Sequence, residues 1–368
     1  VGNTFLTPTN IADMGLLALE ANMVAGNLVY RGHDKEFKKG TGDTAKVRRP
    51  ATFTAIEFDG DLTGQFQDIT EGSVDVKLDK IFTVPFELTQ KQASLDVKDL
   101  NEQVIEPAAR ALADKIDSYI LGFYHTIPYY QDVSGTPAIG DIAGCRKVLT
   151  VNKAPTDTRF GILGPDTEVK YNVLDAFVHA EKRGDTRALK EGSMGRLYGI
   201  DWYMGQNVQS HSKGTVSTAD KITLTQTGDV LNIEAVTDTC TVMKGDIIKA
   251  SDGQEFTILE DSGDITAGNS KDLSHHPAVS ADVAQETITA VHDNHKANIV
   301  AHKNCFCLAT APLAEPLGGA NASVRTYKGL ALQVVFSFNH NALKNVGTMS
   351  ILCGVKTLQE ELGMRLAD

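Results

Sequence analysis

Apolar residues recur at threes and fours in two stretches of the chain. Across residues 98–125, Val104, Ile105, Ala108, Ala109, Leu112, Ile116, Tyr119, Ile120 and Phe123 fall on one stripe, the spacing of a helix with a single buried face. The pattern predicts one helix longer than the usual ~11 to 12 residues. Asp99 followed by Glu102 reads as a capping pair at its start, and Pro107, which lacks an amide proton, either kinks the helix or marks a restart. Residues 9–25 place Ile11, Met14, Leu17, Leu19, Met23 and Val24 between polar positions. A short amphipathic helix is expected there, with Thr9 or Asn10 as its N-cap. Elsewhere the period drops to two. Phe53, Ile56 and Phe58 lead into the turn-prone pair Asp59-Gly60, and Val74, Val76 and Leu78 alternate strictly with Ser73, Asp75 and Lys77, which predicts a long two-stranded excursion. Such a ribbon is marginal alone in water and cannot bury both faces, so its phenylalanines need cover from outside the local chain, most naturally from another subunit.

Helical and extended pieces alternate through residues 126–205: a helix over 142–151, a strand over 160–163, a break at Gly164-Pro165, a helix over 169–182 and a glycine-punctuated stretch over 192–203. That alternation implies a mixed α+β unit. Residues 211–289 change character, being rich in Thr, Val, Ile, Asp and Gly with Phe256 as the one aromatic ring, as in a small β barrel or sandwich. Apolar strands resume at 305–309, where Cys305 and Cys307 would share one strand face. They continue at Leu330, Leu332, Val334, Phe336 and Phe338, and again at 349–355. The mixed unit is therefore interrupted and then completed, and 368 residues accommodate two joined units plus an insertion.

Charge sharpens this division. Lys and Arg number 35 against 47 Asp and Glu, a net charge of -12, which disfavours phosphate-led nucleic-acid binding. Residues 212–290 hold 13 acidic side chains and 5 lysines, and so eight of those negative charges; the segment reads as a separately solvated, outward-facing module. Residues 30–49 run the other way, with seven Lys or Arg against three acids. Ion pairs between subunits are favoured there over contacts with nucleic acid. The longest uncharged run, residues 329–343, is shorter than the ~18 to 20 apolar residues of a membrane span. The stretch around Leu16, Leu17 and Leu19 is interrupted by Asp13 and Glu20, and no signal peptide is expected. Five scattered cysteines (Cys145, Cys240, Cys305, Cys307, Cys353) read as reduced, buried small hydrophobes in a cytoplasm.

Catalytic signatures are missing. Gly192-Ser193-Met194-Gly195 is one residue short of a nucleophile elbow and precedes a strand. Gly318-Gly319 has no adjacent lysine, and Gly40 and Gly42, with Ala45, follow a basic loop instead of a strand. His275, His276, His292, His295 and His302 cluster, and His292 and His295 have a possible helical spacing, but no Cys or carboxylate completes a familiar metal set. A polar linker at the exit of the insertion is the preferred reading. Glu260-Asp261 and Glu360-Glu361 read as solvated surface pairs. No catalytic residue, cofactor or metal is expected, and the chain is not read as an enzyme.

Four runs carry a resemblance to a known family. They are Glu106 through Pro107, Arg110 and Leu112 to Asp117; Gly195-Arg196-Leu197-Tyr198-Gly199-Ile200 on to Tyr203; Met243-Lys244-Gly245-Asp246-Ile247-Ile248; and residues 324–338 followed by 351–366. With the order of parts, they make the chain resemble the major capsid (coat) proteins of tailed double-stranded-DNA phages, in the branch with an insertion domain. The resemblance implies an α+β capsid fold: an N-terminal arm (1–43), an extended β-hairpin loop (44–90), a peripheral domain with a spine helix and the start of an axial domain (91–205), an acidic insertion like a small β barrel (206–291), and the rest of the axial domain with closing strands of the peripheral domain (292–368). It further implies self-assembly of pentamers and hexamers, in the host cytoplasm, into the icosahedral shell of a virion. That shell encloses double-stranded DNA without sequence-specific binding, and forms through a procapsid that expands on packaging, with a scaffolding protein, a portal and a cement protein as partners. A cellular nanocompartment shell of the same fold, enclosing a cargo enzyme, is the alternative. Phe53, Phe58 and Phe66 are the expected hairpin anchors onto a neighbour, with Arg48 and Arg49 meeting acidic partners.

Overall fold

The stripe of residues 98–125 becomes three consecutive helical pieces in the computed structural model: a π-helical turn Asn101–Ile105, an α-helix Glu106–Leu121 and a 3-10 turn Gly122–Thr126. Pro107 marks a restart, since it sits in the first turn of the α-helix, where no intrahelical amide partner is needed. Ile105, Ala108, Ala109, Leu112, Ile116 and Ile120 are buried as the spacing required. The structure describes residues 8–31, 44–48, 73–89, 101–133, 136–175, 192–236, 238–314, 316, 321–339 and 344–368, so Asp99 of the expected capping pair lies outside them. The chain divides into two compact units, and the α-helix belongs to both, with Ala113 ending its part in the first and Asp114 beginning its part in the second.

The first unit is built on a five-stranded sheet of Lys80–Thr89, Phe306–Ala311, Asn321–Tyr327, Leu330–Asn339 and Lys344–Thr357. Its register sets Val334 against Met349 and Met349 against Val84, and Leu330, Leu332, Val334, Met349 and Ile351 are fully buried. The helix Pro8–Asn22 packs on this sheet through Gly15, where an added Cβ would come within 2.7 Å of the Met349 methyl and 3.2 Å of Leu332. Ile11, Ala12, Leu16 and Leu19 line its buried side. Two expectations fail here: Met14 and Leu17 are exposed, and Thr9 and Asn10 lie within the first turn instead of capping it. Ala12 and Leu16 take the buried places expected of Met14 and Leu17, and the helix already includes Pro8, ahead of the expected cap.

The strands Thr44–Arg48 and Ser73–Lys77 pair antiparallel, Thr44 opposite Lys77 and Arg48 opposite Ser73, as a sheet of their own. Val76 and Leu78 are buried against Cys307, Ala309, Ala311 and Leu358, whereas Asp75 and Lys77 point to solvent. The period-two reading holds at this root; Phe53, Ile56, Phe58 and Asp59-Gly60 lie outside the described residues.

The second unit holds a mixed sheet in the order Tyr129–Asp132, Gly363–Ala367, His295–His302, Arg159–Leu163, Ile200–Met204 and Arg196–Leu197, with Ser210–His211 pairing alongside His295–His302. Helices Ile139–Val151 and Pro165–Asn172 accompany it. The expected break at Gly164-Pro165 is instead a helix start, with Gly164 at the cap and Pro165 in the first helical position, where its preset φ is favourable. Residues 176–182 of the helix expected over 169–182 fall outside the described residues. Tyr198 and Gly199, both at positive φ (52° and 78°), form the tight turn between Arg196–Leu197 and Ile200–Met204.

Within this unit, residues 206–291 are entirely strand and loop among the described residues. One four-stranded antiparallel sheet runs Ser270–Leu273, Val230–Glu234, Lys221–Thr225, Val283–Thr287; a second runs His275–His276, Glu255–Ile258, Ile247–Lys249, Ala290–Val291. Ile222, Leu224, Leu231, Ile233, Ile248, Phe256 and Ile258 belong to one shared apolar cluster. Cys240–Val242 and Gly263–Ile265 pair as a further two-stranded sheet, so the strand-rich reading of this segment holds, with its strands divided among three sheets.

Candidate functional site

Of the five expected anchors, the structure describes only the backbone of Arg48, the last residue of its strand; Arg49, Phe53, Phe58 and Phe66 lie outside the described residues. What is described is the root from which that segment departs. Solvent also meets several large apolar side chains, among them Leu17 and Ile81 in the first unit and Val169, Val173, Tyr203 and Met204 in the second.

The histidines do not converge on one point. His275 is buried, with Nε2 3.2 Å from Asp229 and its ring edge-on to Phe256. His276 lies 2.7 Å from Glu360, a hydrogen bond that raises its pKa. His302 Nε2 meets the Thr158 hydroxyl at 3.1 Å, and His292 Nε2 meets the Tyr130 hydroxyl at 2.5 Å. Among the described residues, no group of three or more His, Cys, Asp or Glu side chains is placed to hold a metal ion. The polar-linker reading is corrected, because His275, His295 and His302 are buried, and so is the helical spacing, because His295 opens a strand. Glu260 and Asp261 are exposed as expected, and both also accept hydrogen bonds, Glu260 from the Ser274 amide and hydroxyl and Asp261 from the Lys244 amide. All five cysteines are buried, and burial pushes the Cys145 thiol up to about 12.

The polar cluster that sequence reasoning missed surrounds Arg365 and Asp246. Arg365 is the one charged residue in the otherwise apolar strand Gly363–Ala367, and it is fully buried. It donates from Nη1 to the Gly245 carbonyl at 2.9 Å and from Nη2 to the Thr257 hydroxyl at 2.8 Å. Its guanidinium lies 5.8 Å from the centre of the Tyr124 ring, and burial lowers its pKa to about 10. Asp246 has no exposed surface. Its carboxylate accepts from the Met243 amide at 2.7 Å, the Gly214 amide at 3.1 Å and His211 Nε2 at 2.9 Å. The other nitrogen of His211 meets the Tyr124 hydroxyl at 3.0 Å. Gly245 must be glycine: its φ is +95°, and a Cβ there would lie 3.0 Å from Tyr124 and 3.2 Å from His211. The order Tyr124, His211, Asp246 has the form of a proton relay, but burial holds the phenol above its ordinary pKa and encloses the group. It acts as a structural tie. A charged residue inside an apolar strand, and a Gly-Asp pair in a turn, were the signals that could have found it.

A second buried carboxylate holds the N-terminal segment. Asp117, on the long helix, accepts from the Val24 amide at 2.7 Å and the Gly26 amide at 2.9 Å, the first turn of the helix Ala25–Leu28. Burial raises its pKa against the opposing pull of those amides. Asp117→Ala strands both amides, and it is expected to cost about 1–3 kcal/mol, read as a lower urea midpoint together with faster proteolysis at residues 23–29.

No family model and no curated protein sequence matches this chain. Solved structures do. A structure of Mycobacterium phage Che8 superposes with a TM-score of 0.52 at 13% identity over 94% of this chain and 90% of its own. The capsid of Cyanophage P-SCSP1u gives 0.52 at 11% identity, covering 94% and 88%. The mature capsid of bacteriophage PhiM1 gives 0.50 at 8%, covering 89% and 83%. The chain has the tailed-phage capsid fold. At these identities the likeness is one of fold, and it extends over nearly the whole chain.

Proposed function

We propose that this chain is a major capsid protein, many copies of which tile a closed icosahedral shell around a double-stranded DNA genome. The observation that carries the reading is the match of a capsid fold along 94% of the chain. The two-stranded pair Thr44–Arg48 and Ser73–Lys77 supports it, because a ribbon of two strands is marginal alone in water and draws cover from a neighbour. In this reading, residues 1–43 form the N-terminal arm and 44–90 reach over a neighbouring subunit. The acidic segment 206–291 stabilises its own subunit or bridges capsomers. Assembly takes place in a host cytoplasm with scaffolding, portal and cement proteins as partners. The function is mechanical, and no residue is assigned to catalysis. A nanocompartment shell enclosing a cargo enzyme is the lesser alternative, separated by whether purified particles hold nucleic acid or protein.

Heterologous contacts close into rings when the rotation permits, and a few apolar anchors carry most of the energy of such contacts. Each Phe is worth about 2 kcal/mol when buried. Joint replacement of Phe53, Phe58 and Phe66 by alanine should therefore weaken each contact by roughly 6 kcal/mol, about four powers of ten. Sedimentation should show loss of shells with an unchanged circular dichroism spectrum; shells formed at normal yield by this variant would contradict the assignment.

A further inference from the structure

The segment 212–291 joins the sheet of its unit through two crossings that pair with one another. Ser210–His211 leads in and His295–His302 leads out, in antiparallel register with His295 opposite His211 and Lys296 opposite Ser210. One histidine thus stands on each side of this neck. Their ring centroids are 5.0 Å apart, and both side chains are buried. The surrounding elements are the strand carrying Arg365, the turn carrying Tyr124 and His125, and the Gly245-Asp246 turn.

The charges around His295 are unbalanced. Arg365 comes from the neighbouring strand, His211 from the facing strand and His292 from its own connection, and each disfavours a proton on His295. Asp246 is the buried carboxylate of the cluster, and its oxygens already accept from His211 and two backbone amides. Asp293 offers His295 only its backbone carbonyl, at 2.9 Å from Nδ1, while its carboxylate pairs with Lys213. Asp132 and Glu255 act on His292, and Asp261 on Tyr124 and His125. Because Nδ1 donates to that carbonyl, Nε2 of the neutral ring holds a lone pair, and it has no hydrogen-bond partner. A proton added there would place a cation beside a buried guanidinium with no anion facing it.

We propose that this neck is a proton-sensitive hinge in which protonation of His295 loosens residues 212–291 from the sheet while their own apolar core stays folded. The inference concerns the subunit alone and goes beyond the shell reading. Burial, aided by Arg365, His211 and His292, depresses the His295 pKa to about 4, against about 6.5 for a solvated imidazole. The closed neck therefore binds fewer protons than the open one. Closure is fully favoured above about pH 6.5 and is lost as pH falls from there towards 4. Between pH 7.5 and 4.5 the ratio of closed to open necks should drop about 100-fold. The core shared by the sheets of residues 212–291 is apolar and has no corresponding reason to open.

Hydrogen exchange on the full-length protein at pH 7.5, 6.0 and 4.5, corrected for intrinsic rates, tests the hinge. Peptides covering 209–214, 243–247 and 292–297 should lose protection about 100-fold at pH 4.5, while the strands Lys221–Thr225 and Val230–Glu234 keep theirs. In His295→Gln the loss at the neck should shrink below about tenfold. Unchanged neck protection in the wild-type chain at pH 4.5 overturns the proposal. Simultaneous loss in the neck and in those strands, or an equally acid-labile neck in the variant, overturns it as well. The wild-type profile decides the matter even where the variant fails to fold.

Discussion

Replacing Asp246 by alanine is expected to lower the folding stability of the chain by about 3–5 kcal/mol, the range for removing one partner from a buried charged network. The carboxylate has no exposed surface and accepts from the Met243 and Gly214 amides and from His211. Alanine leaves these donors buried with no acceptor, and each uncompensated donor costs more than the hydrogen bond itself contributes. Asp246→Asn retains one acceptor oxygen and should fall well short of the alanine loss. Arg365→Met replaces a guanidinium that has no carboxylate partner by an apolar chain of similar length, and should stay within about 2 kcal/mol of wild type. Urea midpoints rank the three variants; an alanine variant as stable as the methionine one would show that Asp246 is not the keystone of the tie.

Phe256→Ala is expected to be equally severe, at about 3–5 kcal/mol, but confined to one part of the chain. The ring is 1% exposed within a cluster contributed by the sheets of residues 206–291, and it lies edge-on to His275 with centroids 5.2 Å apart. Truncation removes dispersion contacts and opens a cavity that this core cannot close without shifting a strand. Because that cluster is made only from residues 216–291, exchange protection should collapse in the strands Lys221–Thr225, Val230–Glu234 and Glu255–Ile258. It should persist in the strand Lys344–Thr357. Loss of protection throughout the chain would show that the segment has no independent core.

These two residues mark what the chain reveals on its own and what it conceals. Phe256 stood out because it is the one Phe, Tyr or Trp in a Thr- and Val-rich stretch, and that composition marked the stretch as strand and loop without placing its individual strands. The long helix was legible for the same reason, because a one-sided stripe is a local signal. Asp246, His211, Arg365 and Tyr124 were not legible as a group. They are scattered from residue 124 to residue 365 and meet only when the closing strand returns beside His295–His302. Asp117 was concealed differently, since its partners are backbone amides 91 and 93 residues away. The histidines misled because closeness along the chain suggested a polar linker, whereas strand geometry buries His275, His295 and His302 against different partners.

The most direct measurement of the central claim is electron microscopy of the expressed full-length protein, paired with its mass in solution. The account expects closed, hollow particles of uniform diameter built from many copies of this chain. A stable monomer over the whole accessible concentration range, without such particles, would contradict it.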